Sequence, residues 1–204
     1  MKEGTQVVQV FVRTPIIGQV KTRLIPLLGA RGAYELQREL TSRLIGSLKL
    51  LRADLEIWTD KDLSNQFLSS LGVPLRKQSG SNLGKKMSNA IFKGLKEYEK
   101  VALVGADLPN LDNHYLGEVF EKLDKYSIVV GPAIDGGFGV IAVKKFDESV
   151  FTDLSWGGSE VFSGLVANII KAGLDYHTAP ALWDVDLPAD YERYKKWLDH
   201  SQLN

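Results

Sequence analysis

Cysteine is absent from this sequence of 204 residues, and histidine is scarce. A chain without thiols forms no disulfide, no thiolate metal site, no iron–sulfur cluster and no cysteine nucleophile. Its 3 histidines lie far apart and lack the spacing of metal ligands. The Gly-x-Ser-x-Gly elbow and the His-Glu-x-x-His motif are missing too. These absences argue against hydrolase triads and zinc chemistry.

A surplus of charge of either sign is also missing. Lys and Arg together number 25, as do Asp and Glu, so the formal net charge is zero. Because no net field attracts polyanions, we expect neither nucleic acid nor a membrane as a partner, and an anion site must be a local cluster of cations. The apolar run that begins at residue 7 is too short for a signal peptide or a membrane span. The expected location is the cytoplasm.

The pattern of apolar residues indicates an α/β protein. Runs rich in apolar and β-branched residues predict strands at 7–12, 55–59, 73–77, 101–104, 127–130 and 140–143. Apolar residues at intervals of three or four predict helices between them, the longest from Ala33 to Leu51. Asp60 and Asp112 are each placed to cap the helix that follows. This alternation is typical of a largely parallel sheet, and with no long linker or internal repeat we predict a single domain over residues 1–204.

One carboxylate lies at the expected ligand-binding edge of that sheet. The run from Val101 to Val104 predicts a buried central strand. Gly105 then permits a tight turn, and Asp107 follows. Because ligands of open α/β sheets bind beyond the carboxyl ends of the strands, Asp107 faces that crevice. A carboxylate after a strand also serves as a turn former or helix cap, and this alternative stays open.

A basic loop follows the first predicted strand. Gly18 gives the loop flexibility, and Arg13, Lys21 and Arg23 supply cations. Lys21 and Arg23 come just before the long helix, whose first backbone amides are free to bind an anion. Amides, a guanidinium fork and an ammonium group together suit phosphate oxygens. The alternative is a solvated basic turn.

A glycine-rich turn is the third candidate. Gly136 and Gly137 follow Asp135 and let a ligand approach the backbone closely. The carboxylate of Asp135 can accept hydrogen bonds from sugar hydroxyls. Asp-Gly ahead of a strand is also a strong signal for a hairpin turn, which these residues alone favour.

Two further acids precede the last predicted helix. Alternation along an extended chain puts Asp184 and Asp186 on the same side. Asp186 together with Asp107 would form a hard oxygen site for Mg²⁺ or Mn²⁺ that bridges to the phosphates of a nucleotide. Asp186 is equally well placed to cap the helix that begins near Pro188.

Three other side chains are weaker candidates. Trp156 can stack on a base or a sugar, but aromatic residues at such positions more often belong to the core. Gln78 and Asn82 can hydrogen-bond to the edge of a base, but polar loop residues usually face water.

Five segments, taken in order, resemble the GT-A-like nucleotide-diphospho-sugar transferases. In particular they resemble the family called transferase 1, which is associated with radical-SAM and selenodomain proteins. The segments are Phe11-Val-Arg-Thr-Pro-Ile-Ile-Gly-Gln-Val-Lys-Thr-Arg-Leu24, Asn82-Leu-Gly-Lys-Lys-Met87, Gly105-Ala-Asp-Leu-Pro109, Gly131-Pro-Ala-Ile-Asp-Gly-Gly-Phe138 and Asp184-Val-Asp-Leu-Pro-Ala-Asp190. The departures from the family pattern are Lys86 for Arg, Gly139 in a commonly aromatic stretch, Leu187 for Thr and Ala189 for Glu.

The resemblance implies a GT-A or Rossmann-like three-layer α/β fold with a mostly parallel mixed sheet of about seven strands. It implies that Arg13, Lys21 and Arg23 hold the phosphates of a nucleotide. We add Gly18, Gln78, Asn82 and Gly105 as candidates for contacts with the nucleotide from their positions in the loops. It implies that Asp107 and Asp186 hold the divalent ion. It places Asp135 and the adjacent Gly136 and Gly137 near the second substrate. Trp156 and Glu160 are further candidates for contacts with that substrate, apart from the resemblance.

The predicted function is metal-dependent transfer of a nucleotidyl group from an NTP to a small phosphorylated acceptor, with release of pyrophosphate. Lys21, Arg23 and Asp107 are the predicted catalytic residues. Such chemistry depends on positioning and electrostatics, which agrees with the lack of a cysteine nucleophile. The first alternative is glycosyl transfer from an NDP-sugar, in which Asp135 or Glu160 contacts the sugar acceptor. The second is a module that binds a nucleotide without turning it over.

Overall fold

The computed structural model describes residues 5–61 and 63–201. Within these residues the strands are β1 (Gln6–Val12), β2 (Asp54–Thr59), β3 (Leu75–Lys77), β4 (Lys100–Gly105), β5 (Ile128–Pro132), β6 (Phe138–Val143) and β7 (Tyr176–Thr178). The α-helices are α1 (Ile25–Leu48), α2 (Gln66–Ser70), α3 (Leu83–Leu95), α4 (Asn113–Lys122), α5 (Val161–Lys171) and α6 (Pro188–Ser201). None of these helices combines the length and apolarity needed to cross a membrane.

The strands form one mixed sheet in the order β3-β2-β1-β4-β6-β5-β7. β6 runs antiparallel to both of its neighbours, and all other pairs are parallel. The predicted mostly parallel sheet of about seven strands is therefore confirmed. The sequence did not predict β7, which is only three residues long and partly exposed.

Apolar side chains cover both faces of the central strands. On one face, Val8 and Val10 of β1 pack in a core with α1 and α4. On the other, Val7 of β1 and Leu103 of β4 pack in a core with α3 and α5. Because successive residues of a strand point to opposite faces, continuous apolar runs supply both cores. The result is the expected three-layer arrangement.

The long helix begins earlier than predicted. A single 3-10 turn over Thr22–Leu24 leads into α1 at Ile25, and Gly29, with φ 69° and ψ 165°, kinks its first part. The prediction began at Ala33 because the regular apolar spacing starts there. The helix also stops at Leu48, before Leu51.

One of the two predicted helix caps is correct. Asp112 Oδ1 accepts a hydrogen bond from the amide of Tyr115 at 2.8 Å, which caps α4. The cap assigned to Asp60 is wrong, because α2 begins later and is capped by Asn65. Asp60 Oδ1 instead accepts hydrogen bonds from the amide and the hydroxyl of Thr14, each at 2.8 Å. These bonds tie the ends of the neighbouring parallel strands β1 and β2 together.

Candidate active site

The candidate site lies where β1 and β4 end side by side. These strands are parallel neighbours, so Arg13, just after β1, and Asp107, just after β4, reach the same edge of the sheet. A cavity of about 550 Å³ opens there, which we call the polar cavity. Its lining includes Arg13, Lys21, Thr22, Arg23, Gln37, Asp107, Asp135, Asp184 and Asp186. Residues from four separate candidate segments therefore meet in one place.

Lys21 and Asp107 form an ion pair in this cavity. Lys21 Nζ donates to Asp107 Oδ2 at 2.7 Å, and the lysine side chain is only 4% exposed. Withdrawal from water raises the pKa of Asp107, but the ammonium of Lys21, a backbone hydrogen bond and the charge of Arg13 together outweigh this and leave the pKa below its ordinary value. Lys21 also has a left-handed backbone, with φ 47°, a conformation that a side chain disfavours. The fold thus holds this lysine in place despite a local cost.

A second ion pair links the basic loop to the last acidic segment. Arg23 donates to Asp186 Oδ2 at 2.8 Å, and both side chains are more than a third exposed. Asp190, and not Asp186, binds the backbone at the start of α6: its carboxylate accepts hydrogen bonds from the amides of Asp186 and Leu187. The carboxylate of Asp186 therefore faces the basic loop. The backbone amide of Val185 donates to the carbonyl of Asp107 at 3.1 Å, which joins the two acidic segments.

Asp184 is a site residue to which the sequence interpretation assigned no role. Burial, together with the charges of Asp107 and Asp135, raises the pKa of Asp184 to about 6. The sequence did contain an indication that Asp184 belongs to the site, because the Asp-x-Asp spacing puts Asp184 on the same side as Asp186. Both indeed line the polar cavity.

The acidic residues fit a divalent cation only in part. Carboxylate oxygens are the hard ligands that Mg²⁺ and Mn²⁺ prefer, and burial, together with the charges of Asp107 and Asp135, raises the pKa of Asp184. Within the described residues, however, no three acidic or histidine side chains are grouped closely enough to hold an ion. One or two of these carboxylates could hold a magnesium ion only if substrate phosphates and water supplied the remaining ligands.

The Asp135 turn is both a hairpin and part of the site. It joins the antiparallel strands β5 and β6, and Ala133 donates to the carbonyl of Gly137 at 2.9 Å. Asp135 Oδ1 accepts from the amide of Gly137, also at 2.9 Å. Gly136 has φ 92°, and a Cβ there would lie 2.1 Å from the carbonyl oxygen of Ser159. The turn therefore requires glycine where it packs against the segment before α5.

A second cavity, of about 280 Å³, adjoins the first and is mainly apolar. This apolar cavity is lined by Phe11, Leu83, Met87, Leu103, Phe138, Trp156 and Val161, by Asp135, and by Gly105, Gly137, Gly139, Gly157 and Gly158. Trp156 lines this cavity and also packs edge-on against Phe138, with ring centroids 6.2 Å apart, so its contact with a substrate stays a prediction.

A third cavity, of about 540 Å³, lies between the end of β3 and the start of α3, and we call it the β3–α3 cavity. Gln78 and Asn82 line it together with Arg13 and Asp107. Gln78 Nε2 donates to the carbonyl of Trp58 at 2.9 Å, and Asn82 Oδ1 caps α3 by accepting from the amide of Lys85 at 2.9 Å. Both side chains are therefore held in fixed orientations at the wall.

Three of the predicted site residues lie outside the lining of these cavities. Glu160 accepts a hydrogen bond from the Ser163 hydroxyl at 3.1 Å at the start of α5. Gly18 is exposed in the basic loop with φ 79°, and Gly136 is packed against Ser159. Their expected contacts with a nucleotide or second substrate remain predictions.

Solved structures define the class to which this fold belongs. CMP:2-keto-3-deoxy-manno-octonic acid synthetase complexed with CTP aligns with a TM-score of 0.61 at 11% identity, over 97% of this chain and 100% of that chain. Glucosyl-3-phosphoglycerate synthase from Mycobacterium tuberculosis, with Mn²⁺ and UDP, aligns with a TM-score of 0.56 at 12% identity, over 92% and 74%. At these identities the comparison establishes the fold, which nucleotidyl- and glycosyltransferases share.

A nearer relative and a family profile identify the family. A protein from Desulfovibrio desulfuricans G20, assigned to the nucleotide-diphospho-sugar transferases, is 31% identical with a TM-score of 0.84, over 89% of this chain and 82% of that chain. Residues 46–158 match the family described as an uncharacterized protein conserved in bacteria, DUF2064. The chain belongs to this GT-A-like family, and the predicted transferase class is supported at the family level. Among curated proteins, no sequence matches it significantly.

Proposed function

We propose that the protein transfers a nucleotidyl group from an NTP to a small phosphorylated acceptor and releases pyrophosphate. The observation that carries the proposal is the polar cavity, in which Arg13, Lys21 and Arg23 share one lining with four carboxylates. A triphosphate bound with a divalent cation has the complementary distribution of charge. The fold is compatible with this reaction, because a neighbour of the same fold was solved with CTP.

The cations would bind the phosphates. Lys21 provides a compact charge from a buried position, and Arg13 and Arg23 provide planar guanidinium forks. As phosphates enter, Lys21 and Arg23 would exchange their carboxylate partners for phosphate oxygens. The charge that builds up on the departing pyrophosphate would then be stabilised by cations already in place.

The carboxylates freed by this exchange would hold the divalent ion. Asp107 and Asp186 each carry one of the two ion pairs, and Asp184 lies in the same cavity. Magnesium bound there would offset the negative charge of the phosphates. Neighbours of the same fold contain Mn²⁺ or Mg²⁺ together with UDP, which supports a divalent cation at such a site.

Glycosyl transfer from an NDP-sugar is the second candidate. One observation favours it: Asp135 lines both the polar and the apolar cavity, so its carboxylate can reach an acceptor hydroxyl beside a bound diphosphate. The polar cavity contains three cations, and a triphosphate carries more negative charge than a diphosphate. Because the triphosphate matches three cations better, we place nucleotidyl transfer first.

Product identity separates the candidates. The protein is incubated with Mg²⁺, each NTP and a panel of phosphorylated acceptors, and ³¹P NMR follows the phosphates; a parallel series uses NDP-sugars. Pyrophosphate that appears only when an acceptor is present supports nucleotidyl transfer. A nucleoside diphosphate released from an NDP-sugar would instead establish glycosyl transfer. Nucleotide binding without any product across both series would indicate a non-catalytic module.

A further inference from the structure

The apolar cavity differs in chemistry from the polar cavity beside it. Among the residues that the structure describes, its lining contains no Lys, Arg or His, and Asp135 is its one ionisable side chain. A phosphate bound inside it would have no cation to pair with and would face a carboxylate. A polyhydroxylated sugar would find few side chains able to satisfy its hydroxyls, and unsatisfied polar groups are costly to bury.

Rigid aromatic and aliphatic side chains form the wall of this cavity. Phe138 stacks on Phe151 with ring centroids 6.3 Å apart, and both rings contact Trp156. Gly84 allows this packing, since a Cβ there would lie 3.1 Å from the Trp156 ring. Leu83, Met87 and Val161 complete an apolar surface. The cavity is therefore preformed by packing and does not need a ligand to organise it.

The size of the cavity suits a ring or a short branched chain. Its volume is about 280 Å³, whereas an apolar cavity of roughly 150 Å³ accommodates benzene. Gly157 shapes the opening: it has φ 84°, and a Cβ built on it would meet no atom within 4 Å. The backbone leaves open space where a side chain would otherwise project.

Three residues connect the apolar cavity with the cations. Phe11, Asp135 and Gly157 line both the apolar and the polar cavity, so one ligand can extend from one into the other. A ligand with an apolar body and a phosphate would place the body against Trp156 and the phosphate in the polar cavity, beside the phosphates of the nucleotide.

We propose that the acceptor is a phosphate ester whose organic body is apolar, aromatic or branched aliphatic, and that the apolar cavity selects this body over a sugar. That this ligand is the acceptor rests on the proposed function. The nucleobase belongs in the β3–α3 cavity, whose wall offers polar groups from Gln78, Ser81 and Asn82. The apolar cavity lacks such groups for reading the edge of a base.

The test compares two esters with the same phosphate. Binding of benzyl phosphate, glycerol 3-phosphate and inorganic phosphate is measured by isothermal titration calorimetry, without turnover. We expect benzyl phosphate to bind at least about tenfold more tightly than glycerol 3-phosphate, because only the benzyl ring buries apolar area. The same titrations on Trp156→Leu should show benzyl phosphate weakened roughly fivefold to tenfold, with inorganic phosphate unchanged.

Two more variants keep the test decisive. Trp197→Leu is the matched control, because Trp197 is a half-buried tryptophan on α6 outside the apolar cavity, and it should bind both esters as the parent does. Leu83→Gln also alters the apolar cavity, and because Leu83 is 44% exposed the substitution should disturb folding little. It therefore provides a second test if Trp156→Leu folds poorly. It should also weaken benzyl phosphate selectively.

Two results would overturn the inference. One is equal or tighter binding of glycerol 3-phosphate, including the case in which neither ester binds. The other is a loss of NTP affinity in Trp156→Leu as large as the loss for benzyl phosphate, since the cavity would then hold the base. If the preference for benzyl phosphate is found while no NTP reacts, the proposed function fails but the ligand class stands.

Discussion

Lys21 and Asp107 are 86 residues apart in the sequence, yet Lys21 Nζ lies 2.7 Å from Asp107 Oδ2. Lys21 reaches this position from a left-handed backbone conformation and with a side chain that is almost fully buried. A strained residue at the edge of the sheet where ligands bind is typical of a functional site. In the proposed reaction, Lys21 neutralises Asp107 until the phosphates of the nucleotide enter, and it then stabilises the negative charge of these phosphates.

Replacing Lys21 by Met should therefore abolish most of the activity. We expect acceptor-dependent pyrophosphate release to fall by about 10²-fold or more, because a preorganised donor to the developing charge is lost. The matched control is Lys100→Met, which breaks the Lys100–Asp124 pair on the opposite end of β4. The control should keep nearly full activity. Unchanged turnover in Lys21→Met would remove Lys21 from the proposed chemistry.

Replacing Asp184 by Asn should make the ligand-free protein more stable at neutral pH. The pKa of Asp184 is raised to about 6 in the folded protein from an ordinary value of 3.8, so this group lowers stability progressively as the pH rises from about 4 through 6. The effect of this pKa difference is reduced because Asp184 is partly exposed. At pH 7.5 we therefore expect the free energy of unfolding of Asp184→Asn to exceed that of the parent by about 1 kcal/mol, or its Tm to be about 2–4 °C higher.

The pH dependence provides the check on that stability gain. At pH 4 the difference between the parent protein and Asp184→Asn should almost disappear, because the acid is mostly protonated in the folded state. Asp186→Asn is the comparison variant: it removes the carboxylate that pairs with Arg23 and should give no such increase. A lower Tm for Asp184→Asn at pH 7.5 would contradict the crowding of negative charge described for the polar cavity.

Replacing Asp60 by Asn should destabilise the fold at neutral pH. Burial raises the pKa of Asp60, but the hydrogen bonds from Thr14 outweigh it, so the pKa lies below its ordinary value. A lowered pKa stabilises the protein above the ordinary value of 3.8 and loses that effect as the pH falls through the folded pKa. We expect a loss of about 1 kcal/mol at pH 7, measured by urea unfolding, from weakened charge-assisted hydrogen bonds. An equal deficit at pH 7 and at pH 3 would show that the charge of Asp60 is not responsible.

Local patterns in the sequence were sufficient to predict the fold class. β1 and β4 were predicted because their residues are apolar or β-branched on both faces, as buried parallel strands require. The hairpin at Asp135 followed from Asp-Gly, a turn with a specific backbone requirement. Short, partly exposed elements carry little such signal, which is why β7 was missed.

Tertiary relationships within the site were less accessible. The partners of the Arg23–Asp186 pair are 163 residues apart in the sequence. The sequence analysis assigned the cations to phosphates and the carboxylates to a metal, and no local pattern indicates that these groups bind one another. Asp60 looked like a helix cap because it follows a strand, but only the adjacency of β1 and β2 gives it Thr14 as a partner. The site role of Asp184 depends on burial near Asp107 and Asp135, a property of the folded chain.

In the proposed function, a nucleotide and a divalent cation bind together at Asp107. The most direct measurement is a calorimetric titration of each NTP into the parent protein and into Asp107→Asn, with and without Mg²⁺. The control is Asp124→Asn, which breaks an ion pair remote from the site. We expect Mg²⁺ to tighten the binding of at least one NTP by about tenfold or more in the parent and in the control, because the phosphates release Asp107 from Lys21 and the ion then binds Asp107. In Asp107→Asn this gain should be lost. NTP affinity that is the same with and without Mg²⁺, or a full gain retained in Asp107→Asn, would show that Asp107 does not hold a divalent cation beside the nucleotide.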